Sequence, residues 1–91
     1  MKQYERKIIK ADGAVVDYPP KGRHYTLKEL QKAVGGYIEL VHVGSYLMVV
    51  NEEGKPKGLP LNLLASELYG NPDDLIVGDV LVCRDKDISP T

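Results

Sequence analysis

YIELVHVGSYLMVVN, residues 37–51, reads as a β-hairpin. Two runs rich in β-branched and aromatic residues flank Gly44-Ser45. A glycine at the first of two turn positions suits a type II′ hairpin turn. That turn pairs Val43 with Tyr46, Val41 with Met48 and Glu39 with Val50. Alternation then puts Tyr37, Glu39, Val41, Val43, Tyr46, Met48 and Val50 on one face, and Ile38, Leu40, His42, Leu47, Val49 and Asn51 on the other. Both faces are largely apolar, whereas a solvated antiparallel face is polar. Helices can cover one face, and a second subunit is expected to cover the other.

Upstream, TLKELQKAVGG (residues 26–36) reads as a helix. Thr26 is the expected N-cap and Glu29 completes a T-x-x-E capping box. Leu27, Leu30 and Val34 share a face, and Gly35-Gly36 stops the helix. Earlier still, YERKIIK and AVVDY flank the turn pair Asp12-Gly13, so residues 4–18 read as a first hairpin that Pro19-Pro20 ends. Downstream, LNLLASELYG (residues 61–70) reads as a second helix, with Asn62 as cap, Leu61, Leu64, Ala65 and Leu68 on one face and Gly70 as the stop. LIVGDVLVCR (residues 75–84) is the last strand region, with a bulge or bend at Gly78-Asp79. The order ββαββαβ predicts an α+β domain, a mainly antiparallel sheet with two short helices packed on one face. Residues 1–91 read as one domain, with 1–3 and the polar 85–91 expected to fray.

Composition narrows the chemistry. Ninety-one residues with 43% apolar and 27% charged residues fit one small globular domain. A net charge of -1 argues against general DNA or RNA binding. The lone Cys83 cannot form an internal disulfide, and its place in DVLVC reads as a buried, inert thiol. No apolar run approaches the roughly 20 residues that span a bilayer, and the first ten residues lack a signal-peptide core. A cytoplasmic location is the expectation.

Candidate binding residues fall in two loops, each leading into a helix. Lys21, Arg23, His24, Tyr25 and Thr26 precede the first helix, where free N–H groups and a partial positive charge suit phosphate. Lys55 and Lys57, in NEEGKPKGLPLN, precede the second. His24, Tyr25 and Tyr37 are candidates for stacking on a base, and Glu39 or Asn51 for reading a base edge. His42 reads as a packed structural histidine. No His or Cys pair has metal-ligand spacing, no phosphate-loop motif occurs, and no Ser-His-Asp order is present, so neither a metal, a cofactor nor catalysis is expected.

The motifs G-Y-I-E, V-N-E-E-G, L-P-x-N-x-x-A and I-x-G-D-V-L-V, spread over residues 35–83, resemble a family of small proteins from bacteriophages and mobile elements catalogued as a domain of unknown function. In size and layout the chain also resembles phage immune-evasion sponges, which form symmetric oligomers and sequester nucleotide signals of host defence systems such as CBASS. That resemblance implies a non-catalytic, nucleotide-binding protein of the bacterial cytoplasm, a homo-oligomer (dimer or tetramer) that holds a small nucleotide signal such as a cyclic dinucleotide. The alternative is a protein-interaction module that meets a host protein through its apolar sheet face.

Overall fold

A computed structural model describes residues 1–88. The strands are β1 (Lys7–Ile9), β2 (Val15–Asp17), β3 (Ile38–Val43), β4 (Tyr46–Asn51) and β5 (Val80–Cys83). The helices are α1 (Leu27–Val34) and α2 (Leu63–Tyr69), with 3-10 turns at Lys2–Tyr4 and Asp85–Asp87. All strands join one antiparallel sheet in the order β2-β1-β5-β4-β3. The domain is α+β.

The hairpin sets the frame. Val43 pairs with Tyr46 and Glu39 with Val50, the expected register. Gly44 takes φ 61°, the left-handed conformation that the first position of a type II′ turn requires. Every residue of β4 and β5 is buried, because the long central strands have cover on both sides.

That cover differs from the expectation of two helices on one face. Leu30, Ala33 and Val34 of α1 pack on Ile8, Leu47, Val49, Leu81 and Cys83. Ala65 of α2, with Leu64 and Leu68 beside it, packs on Ile9, Met48, Val50, Val80 and Val82. Successive strand residues point to opposite faces, so the two helices lie on opposite sides of the sheet. The second apolar face is therefore covered by the chain itself, and no other subunit is needed there. Within α1, Ala33 replaces Leu27 in the buried stripe; Leu27 is 59% exposed.

The 51–62 corner carries the chain from one side to the other, and a buried asparagine closes each end. The Asn51 Nδ2 donates to Val34 O at the end of α1, and its Oδ1 accepts from Glu53 N. The Asn62 Nδ2 donates to both Ile9 O and Gly78 O at 2.9 Å. Its Oδ1 accepts from Ala65 N, the N-cap bond of α2. Asn62 thus joins β1, the approach to β5 and α2 through one amide that is 1% exposed. Leu61 bridges Val77, and the chain then bends into β5 at Gly78, at φ 78°, where a Cβ would meet Leu59 at 2.9 Å. The bend anticipated at Gly78 is present.

The ends are tied down further than their polarity suggests. Met1 and Tyr4 pack against the α2-side core. Asp85–Ile88 dock beside Tyr25, which donates its N–H to Asp87 O and bridges Ile88. Residues 89–91 lie outside the described residues.

Asn62→Ala removes the α2 cap and takes a donor from two buried carbonyls, so we expect a loss of about 3 kcal/mol, with the melting midpoint falling by about 12–24 °C. Neighbouring Leu63→Ala, exposed, is expected to change stability by less than about 1 kcal/mol. Urea denaturation of both variants checks the contrast.

Candidate functional site

The structure sorts the candidate residues into three places. At the start of α1, Lys21 and Arg23 are exposed and His24 is half-buried. Tyr25 is fully buried, so it cannot stack on a ligand. Its ring stacks on Tyr18 at 6.0 Å between centroids, and its hydroxyl donates to Tyr18 O. Burial raises its pKa, so the phenol stays protonated. The apolar alternation that fixes β3 and β4 is absent from GRHY, so the tyrosine's inward direction had no local signal.

Thr26 caps α1 as expected. Its hydroxyl accepts from Glu29 N, and Glu29 Oε1 accepts from Thr26 N at 2.9 Å. The second carboxylate oxygen, Oε2, accepts from Lys21 N at 3.0 Å. These backbone bonds, that of Thr26 foremost and then that of Lys21, hold the Glu29 carboxyl below its usual range. Two of the N–H groups at this helix start, those of Thr26 and Lys21, are thus taken by the protein's own carboxylate.

Glu39, Asn51 and Lys55 come together around a cleft of about 280 Å³ between the β3–β4 hairpin and residues 74–77. Asn51 is not available to read a base, because its amide is used within the corner. Lys55 Nζ pairs with Asp74 Oδ1. The remaining charges of the cleft are Glu39 and Glu52. Tyr37 and Lys57 line a separate hollow of about 180 Å³ with Gln31, Gly36 and Glu53. Tyr37 is 65% exposed, and Lys57 Nζ lies 3.5 Å from Glu53 Oε1. The two basic loops lie at opposite ends of α1, since Lys21 reaches Glu29 while Asn51 reaches Val34.

Other reactive groups are occupied or exposed to water. Burial pushes the Cys83 thiol up to about 12, which keeps it protonated and unreactive. His42, expected to be packed, has a side chain 68% exposed, 3.8 Å from Asp85, because β3 is an edge strand. Among the described residues no group of three or more His, Cys, Asp or Glu side chains could hold a metal ion. Among them, no helix is long and apolar enough to cross a membrane.

A feature that the candidate residues did not include lies on α2. Leu63 is 68% exposed and Leu75 47% exposed. With Pro72, Gly70 and Ser66 they line a shallow depression of about 320 Å³. The signal was present in the sequence, because Leu63 falls outside the Leu64–Ala65–Leu68 stripe yet is apolar.

These features define a small α+β domain built on one five-stranded antiparallel sheet, with its corner lysines paired internally. The chain belongs to the family described as Domain of unknown function (DUF3846), whose profile matches residues 7–90. No curated protein and no solved structure gives a match.

One ion pair beside Tyr25 sets an acid limit on the fold. Arg6, at φ 61° in a bulge opposite Val82, sends its Nη2 to Asp87 Oδ1 at 2.7 Å, and Arg84 N donates to Asp87 Oδ2. Burial pushes the Asp87 carboxyl up, but the Arg6 and Arg84 hydrogen bonds outweigh burial and hold it below the ordinary value. A depressed carboxyl stabilises the fold fully above its unfolded pKa, about 3.9, and ceases to do so as pH falls through the folded value. Urea midpoints measured from neutral pH downward are expected to fall below about pH 4. Asp87→Asn is expected to start lower at neutral pH and to fall less steeply; parallel curves would remove Asp87 from the account.

Proposed function

We propose that the chain is a non-catalytic protein-interaction module that docks on a partner through the α2 depression. The observation that carries this reading is the pairing of two large exposed leucines, Leu63 and Leu75, in one concavity beside Pro72. Exposed apolar side chains gathered in a depression mark interaction surfaces. The docking surface thus moves from the apolar sheet faces, one covered by each helix, to the outer side of α2. In the bacteriophage setting that the sequence resemblance implies, the partner is a host protein.

Sequestration of a nucleotide signal draws less support. Lys55 and Lys57 face Asp74 and Glu53, and the start of α1 holds its own carboxylate. A phosphate would have to displace those partners before it was gripped.

The test compares the wild type with Leu63→Asp and Leu75→Asp in affinity capture from host-cell extract, followed by reconstitution of the captured protein with the purified chain. Both variants are expected to keep a melting midpoint close to that of the wild type and to bind the reconstituted partner at least about tenfold more weakly. Unchanged binding in both variants would overturn the proposal. So would a midpoint that rises on adding a cyclic dinucleotide to the wild type.

A further inference from the structure

The two edges of the sheet are guarded very differently. The β2 edge has only Val15–Asp17; Asp17 pairs with Lys7, and Pro19-Pro20 follow. Shortness, charge and proline are the usual devices that keep an edge from pairing. The β3 edge, Ile38–Val43, is twice as long and contains no lysine and no proline; its one carboxylate is Glu39.

The hydrogen-bond pattern shows which groups that edge offers. Glu52 N donates to Tyr37 O, so Tyr37 and Glu52 form a hydrogen-bonded pair. In an antiparallel ladder such pairs recur every second residue. Glu39, Val41 and Val43 therefore turn their N–H and C=O groups toward β4. Those of Ile38, Leu40 and His42 point away from the sheet, and among the described residues no backbone group bonds them.

We infer that the β3 edge pairs with the β3 edge of a second copy of this chain, antiparallel, about a two-fold axis at Leu40. This inference is independent of the α2 surface. A two-fold axis normal to the sheet keeps each face on its own side, so a residue can meet only one of its own face. With the axis at Leu40, Ile38 of each copy lies opposite His42 of the other, and Leu40 lies opposite Leu40. The three outward residues of each copy then bond completely, joining two five-stranded sheets into one.

Side chains select the same occupant and register. Tyr37 and Leu40 are 65% and 44% exposed, and both lie at this edge. With the axis at Leu40, Tyr37 meets Val43 and Leu40 meets itself, so both exposed apolar groups find apolar partners. A shift of the axis to Val41 would set Tyr37 against Ser45 and Leu40 against His42. The one unfavourable contact of the chosen register is diagonal, between the two Glu39 side chains on the α2 side.

Sedimentation velocity of the full chain across a concentration series tests the inference. The expected result is a monomer–dimer equilibrium, with a dissociation constant on the order of 10–100 µM for so small an interface. Leu40→Lys places two ammonium groups at the axis and is expected to weaken the dimer at least about tenfold. Its circular dichroism in dilute solution should match the wild type. Glu39→Gln, which relieves the diagonal repulsion, is expected to tighten the dimer about two- to fivefold. In the wild type, the amides of Ile38, Leu40 and His42 should gain protection from hydrogen exchange as concentration rises, while those of β2 do not. A wild type that stays monomeric to about 1 mM would overturn the inference. So would a dimer that Leu40→Lys leaves intact, or concentration-dependent protection elsewhere on the chain. Loss of binding to a protein partner at Leu63 would leave this result untouched, so the two proposals fail separately.

Discussion

The buried amide of Asn62 ties three segments of the chain together. Its Nδ2 answers two carbonyls, Ile9 O from β1 and Gly78 O from the approach to β5, and its Oδ1 starts α2. None of those groups can turn to water, because Asn62 is 1% exposed. A buried carbonyl without a donor costs more than a hydrogen bond normally contributes, so the three segments hold together or separate together. An asparagine is suited to this place because its side chain carries both donors and an acceptor. Aspartate could cap the helix but could not donate to Ile9 and Gly78.

From this amide the architecture follows outward. The 51–62 corner leaves β4 at Asn51, which ties back to α1, and arrives at Asn62 on the other side of the sheet. The charged and conformationally special residues between the two asparagines serve that passage. Lys55 and Lys57 are held by Asp74 and Glu53, and Gly58 adopts φ 67°. Such exposed ion pairs contribute little to stability, in general about 0–1 kcal/mol. They also leave the two lysines of the corner paired with carboxylates. At α1, likewise, Glu29 takes the N–H groups of Thr26 and Lys21.

Much of this was legible in the sequence because local chemistry decided it. The 37–51 register, the Thr26–Glu29 capping box, the Asn62 cap and the bend at Gly78 each depend on neighbours within a few residues. What the sequence did not disclose depends on contacts between distant segments. The side of the sheet that α2 takes is set by Asn62 reaching Ile9, fifty-three positions away. The burial of Tyr25 follows from its contacts with Tyr18 and Asp87, and the pairing of Lys55 follows from the position of Asp74. The sequence placed the candidate residues in loops beside helix starts, but it did not disclose that Lys55 and Lys57 are paired with Asp74 and Glu53, or that Glu29 takes the N–H groups of Thr26 and Lys21. Leu63 and Leu75 were visible as apolar residues, yet their joint exposure needed the fold that brings 63 and 75 to one depression.

Native-state hydrogen exchange shows whether α2 and its corner open separately from the sheet. The amides of Asn62, Ala65 and Gly78 donate to Ile76 O, Asn62 Oδ1 and Pro60 O. If Asn62 binds the three segments into one unit, these amides exchange only when the whole chain unfolds. Their opening free energies then equal the stability from urea denaturation and match those of the β5 amides. Exchange of Ala65 and Gly78 through a cheaper local opening, with β4 and β5 still protected, would show that α2 and its corner detach on their own and would contradict the account.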